Sequence, residues 1–106
     1  MMTSDALQAT LEKSGLPVAQ HTFPESGAPP LPYVCWQETD HDNYYADGIV
    51  FYQIRHIRVE LYERYRSAET ETQLEDILDA AGWAWTRTPE YIEDEQCWAI
   101  YYEFEV

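Results

Sequence analysis

A chain of 106 residues with 20 acidic and 6 basic side chains, net charge −14, is long enough for one two-layer core and too short for a separate cofactor domain. Its charge repels a phosphate backbone over most of the surface, which excludes general nucleic-acid binding, and 45% hydrophobic with 15% aromatic residues excludes a disordered chain. With no secretory signal, no apolar run of membrane length and no short metal-ligand pair from Cys35 and Cys97, a single cytoplasmic domain, 1–106, is expected, its cysteines acting as small buried hydrophobes.

The acidity fits three roles: mimicry of nucleic acid toward a basic protein, the lining of a passage in which DNA slides without sticking, or simple solubility. Nine Tyr and four Trp favour strands, because flat rings with a polar handle pack across a sheet or at an interface.

Thr3 or Ser4 can cap a helix to about Ser14, with Leu7 and Leu11 one turn apart and Gly15 as a left-handed terminator. Pro17 stops it, and Val18 to Thr22 reads as a short strand. Phe23 to Pro32 turns to Pro, Gly, Ser and Ala, a surface loop of extended backbone. Tyr33 to Asp40 alternates as a strand with Val34 and Trp36 inward. His41 to Gly48 is rich in turn formers, giving either a plain turn at Asp47-Gly48 or a protruding hairpin to which Tyr44 and Tyr45 add strand.

Ile49 to about Tyr65 is the longest strand-like stretch, too long to stay flat, with a bulge or bend expected at Gln53 to His56. Its second half alternates, Ile57, Val59 and Leu61 against Arg58, Glu60 and Tyr62. Ser67 to Ala81 is a helix: Leu74, Ile77, Leu78 and Ala81 share a face, Thr70 and Gln73 can form a capping box, and Gly82 ends it. Trp83 to Thr88 and Gln96 to Val106 read as a closing hairpin around an acidic turn, with Trp98, Ile100, Tyr102 and Phe104 on one face. The order predicts an α+β two-layer sandwich, a mainly antiparallel sheet with two helices packed on one face, and a core of Leu74, Ile77, Leu78, Val59, Leu61, Trp98, Ile100 and Phe104.

Catalytic parts are sparse. Asp40, His41 and Asp42, with Asp47 nearby, offer ligands for a divalent cation or a metal-dependent hydrolase, but their spacing matches no calcium loop or zinc set, and a solvated turn is the plainer reading. His21 and His56 have no nucleophile beside them, and no glycine-rich phosphate loop exists, so the expectation is no enzyme, no cofactor and no metal. Arg55, Arg58, Arg64 and Arg66 are four of the six basic residues, and they pair either with the chain's own carboxylates or with the acidic surface of another copy. With Tyr44, Tyr45 and Asp47 they are the candidate protein-interaction residues.

The SGLPVAQHTF helix end, the Pro-rich loop into PYVCW, the DNYYADGIVFYQIRHIRVELYE block, the ETQLEDILDAAG helix and the closing EYIEDEQCWAIYYEFEV together resemble one family. It is the small tail-completion, or head-to-tail joining (neck, tail terminator), proteins of long-tailed phages and prophages of Gram-positive bacteria, and the likeness spans nearly the whole chain. The resemblance implies a non-enzymatic ring subunit, a hexamer in the virion and compatible with a monomer when isolated, that contacts the head connector and tail-tube proteins. It places the chain in the bacterial host cytoplasm during assembly and then in the virion neck or tail, with no specific nucleic-acid binding and no membrane. The competing reading from charge alone is an acidic inhibitor, or nucleic-acid mimic, that binds a basic protein.

Overall fold

The computed structural model describes residues 3–46 and 48–106, with the side chains at 25, 43–46 and 49–52 outside that description. Helix α1 (Ser4–Glu12) leads into strand β1 (Val18–Gln20), then β2 (Tyr33–Ala46), β3 (Ile49–Glu63), helix α2 (Ala68–Ala80), β4 (Thr86–Ile92) and β5 (Cys97–Glu105). The five strands form one sheet in the order β1-β2-β3-β5-β4, antiparallel throughout except for the parallel β1 and β2. Both helices pack on one face, so the chain is an α+β two-layer domain.

Alternation decides which face is covered. Val34 and Trp36 of β2, Ile57, Val59 and Leu61 of β3, and Ile100, Tyr102 and Phe104 of β5 all point inward and are buried. They meet Leu7 and Leu11 of α1 and Leu74 and Leu78 of α2 in one core. Trp83 stacks on Phe104 with ring centroids 4.8 Å apart and seals its lower edge. The one polar atom of Trp36 is satisfied by α1: its Nε1 donates to Gln8 Oε1 at 2.6 Å, while Gln8 Nε2 donates to the Val18 carbonyl at 2.9 Å. A single glutamine thus fixes α1 against β1 and β2 together.

Caps set the helix ends. Thr3 Oγ1 accepts from the Ala6 amide at 3.1 Å, and Ser67 Oγ from the Thr70 amide at 3.2 Å. The α2 cap is therefore Ser67, and the expected Thr70 and Gln73 capping box does not form, because Gln73 reaches away to donate to the Ser14 carbonyl and ties α2 to the end of α1. Gly15 takes φ +83° there, which lets the chain turn under α2.

Of the two readings for residues 41–48 the structure takes the hairpin: each residue from His41 to Ala46 finds a partner on β3, and ladder pairing overrides local turn propensity. Three expectations need correction. The irregularities lie outside Gln53 to His56: Glu38 faces Ile57 and Asp40 faces His56, so Thr39 is an extra residue on β2, and Tyr44 faces Tyr52 while Tyr45 faces Val50, so Phe51 is an extra residue on β3. Strand β4 begins at Thr86, not Trp83, since Trp83 and Trp85 turn inward to pack on Phe104 and Tyr102. Ile77 and Trp98 are only partly buried, and Leu7, Leu11, Trp83 and Tyr102 complete the core instead.

Truncating Phe104 to Ala is expected to lower the unfolding free energy by about 3–5 kcal/mol in chemical denaturation. Ile77→Ala should lose well under half as much, and equal losses would show that the inward face of α2 is assigned wrongly.

Candidate functional site: a hairpin arm and a buried carboxylate cluster

Strand β3 has two neighbours along its second half and one along its first. Strand β5 pairs with it from Glu63 back to His56, and Arg55 and Val106 exchange backbone hydrogen bonds at 2.9 Å. Beyond that point β3 is paired only with β2, out to Ala46 and Ile49. At about 3.3 Å per residue this two-stranded arm projects roughly 17 Å from the body, and the molecule measures 51 × 28 × 23 Å. Tyr44 and Tyr45 lie on this arm by backbone, their side chains outside the described set, and Asp47 lies outside the described residues altogether.

The base of the arm is pinned by charge. His56 Nε2 lies 2.9 Å from Asp42 Oδ2 and its Nδ1 lies 3.5 Å from Glu105 Oε1. The hydrogen bond to Asp42 raises the imidazole pKa above its ordinary value, and the Asp42, Glu105 and Asp40 charges add to it. Arg55 pairs with Glu38 at 2.9 Å and donates to Ser4 Oγ at 3.3 Å, joining the arm to α1. His41 sits 3.7 Å from Glu38, and Asp42 turns to His56, so the Asp40-His41-Asp42 run is divided among different partners.

The other arginines also meet groups of their own chain. Arg58 lies 3.7 Å from Glu103 and 5.3 Å from the centre of the Tyr101 ring, and Arg64 donates to the Gln96 carbonyl at 3.1 Å. Arg66 grips Glu71 with two hydrogen bonds of 2.8 and 2.9 Å and lies over Trp98. Of the two alternatives for these side chains, pairing with internal carboxylates describes Arg55, Arg58 and Arg66.

Glu63 and Glu71 are the buried charges that the sequence analysis passed over, at 2% and 4% exposure. Period-two counting from Ile57, Val59 and Leu61 places Glu63 on the inward face, which was the available signal. Arg87 lies 3.6 Å from Glu71 and 2.7 Å from Glu75, and the buried Tyr102 hydroxyl donates to Glu75 at 2.7 Å. Two guanidiniums therefore hold the carboxylates of Glu71 and Glu75. Glu71 keeps a lowered pKa, chiefly through its hydrogen bonds from Arg66. Neither Glu63 carboxyl oxygen makes a hydrogen bond of normal geometry. Burial first, then the neighbouring Glu71, pushes Glu63 up to about 7.

Among the described residues no three His, Cys, Asp or Glu side chains are placed to hold a metal ion, and no helix is long and apolar enough to cross a membrane. Cys35 and Cys97 are free and buried, and burial pushes the Cys35 thiol up to about 11. The carboxylate cluster locks α2 to the sheet, whereas the arm reaches away from everything else. Compared with known proteins, the chain matches no family model and no curated protein.

The Glu63 proton has a measurable consequence. Between pH 4.5, the ordinary carboxyl value, and about 7, the folded chain holds a proton that the unfolded chain has released, so stability falls as pH rises through that window. Glu63→Gln, which keeps the shape and cannot ionise, should be more stable than the parent at pH 8 by on the order of 1–2 kcal/mol and no more stable at pH 4. Parallel stability curves for the two proteins would contradict the assignment.

Proposed function

We propose that this chain completes a phage or prophage tail and joins it to the head, packing side by side with copies of itself as a ring, a hexamer in the virion, without enzymatic activity. The observation that carries this reading is the arm. A two-stranded ribbon is marginal in water by itself, and along Ile49 to Ile54 five residues of β3 pair with β2 alone. Such an extension gains its stability from another surface, and a ring of identical subunits supplies one for every arm. The family resemblance points the same way.

The net charge of −14 supports a neck role, since carboxylates lining a lumen let DNA pass without adhesion. The arginine strand is the weaker part of the argument for contact between copies, because Arg58 and Arg66 already face Glu103 and Glu71. Contact through the arm does not require them. An acidic inhibitor of a basic protein remains the competing function, and it has no need of a projecting ribbon.

His41 and Arg55 face each other directly, so a two-residue Asn-Gly turn between them closes a hairpin and removes residues 42–54. The shortened chain should fold, while the phage encoding it accumulates separate heads and tails. Normal virions from this variant would remove the arm from the assembly, and normal virions after deletion of the whole gene would refute the joining role.

A further inference from the structure

The arm has two open backbone edges, one on each side. Strand β1 covers β2 only through Trp36, whose carbonyl accepts from the His21 amide at 2.7 Å, and among the described residues no strand lies beside β2 from Gln37 to Ala46. A cleft of about 480 Å³, lined by Gln20, His21 and Glu38 to His41, opens where a longer β1 would run. The opposite edge, Ile49 to Ile54 of β3, is open because β5 ends at Glu105.

The two terminal strands of the sheet are poor templates. Strand β1 is only three residues long, and β4 carries Pro89, which has no amide to donate, between exposed Thr88 and Glu90. The long arm edges carry no proline, so they are the places where the sheet accepts another strand.

We infer that the open β2 edge of one copy pairs with the open β3 edge of a second copy, in a heterologous, head-to-tail strand addition. Charge selects this pairing over β2 against β2. A self-pairing brings Glu38, Asp40 and Asp42 against the same three carboxylates, and like charges set opposite one another across strands are destabilising. The β3 edge carries no acidic residue from Ile49 to Ile54, so it meets the acidic β2 edge with neutral groups such as Gln53 and Ile54. Because the two edges lie on opposite sides of one arm, each added copy presents the same free edge again. Heterologous contact then runs on until the rotation per subunit closes a ring. A closed ring leaves no edge, which turns an aggregation hazard into an assembly signal.

This inference rests on the self-association part of the joining role and is tested apart from virions. Two full-length variants, Asp40→Cys and Gln53→Cys, each put one new thiol on one edge, while Cys35 and Cys97 are buried and inert. Mixed at about millimolar concentration in high salt, which screens the self-repulsion of the acidic chain, and oxidised, they should form the mixed disulfide dimer in preference to either homodimer. Each variant alone should form at most about a tenth as much, and His41→Pro added to the Asp40→Cys variant, which removes an amide pointing away from β3, should abolish the mixed product. Homodimers of Asp40→Cys as abundant as the mixed product would overturn the heterologous pairing. Absence of any cross-link would overturn strand addition. If the shortened-arm variant still fails to join heads to tails while no cross-link forms, the joining role stands and this edge pairing falls.

Discussion

One strand sets the limits of this molecule. Along Ile57 to Glu63, β3 is flanked by β2 and β5, and its inward residues anchor both helices; along Ile49 to Ile54 it has, among the described residues, the single strand neighbour β2. The same backbone therefore belongs to two regions of very different stability. Where three strands and two helices share apolar side chains, opening means losing the core; where two strands share only their own ladder, opening is local. The body can be rigid while the arm adapts to what it meets.

Charge is arranged to suit that division. In the body, Arg66 and Arg87, both partly exposed, hold Glu71 and Glu75, Tyr102 contributes its hydroxyl, and burial pushes the Glu63 carboxyl up to about 7, so charge between α2 and the sheet is largely balanced locally. At the base of the arm, His56 between Asp42 and Glu105 makes a link that is full below the ordinary histidine pKa and weakens as pH rises through the raised one. Most of the other acidic side chains among the described residues lie at the surface, where their like charge repels other copies of the chain.

The fold was legible wherever periodicity spoke alone. Val34 and Trp36, Ile57 to Leu61, Leu74 with Leu78, and Ile100 to Phe104 all lie where alternation and helical spacing put them. It was not legible where a distant partner decides. The choice between turn and hairpin at residues 41–46 is made by β3, and the freedom of Gln73 from its cap comes from Ser14. Glu63 was hidden because a charged residue at the end of an inward run reads as the strand leaving the core, and only Glu71 and Arg66, contributed by α2 and the segment before it, make it a buried member of the cluster. The arginines were visible as a group, but their partners, Glu103, Gln96 and Glu71, lie far along the chain and appear only in three dimensions.

Amide hydrogen exchange along β3 tests the central claim, that one strand is divided between a stable body and an arm ordered by association. In the isolated chain at low concentration, the Val59 and Leu61 amides should exchange only through global unfolding, while those of Gln53 and Ile54 exchange orders of magnitude faster. At high protein concentration, or in assembled particles, Gln53 and Ile54 should slow toward the body. Equal protection along the whole of β3 in the dilute, isolated chain would contradict the account.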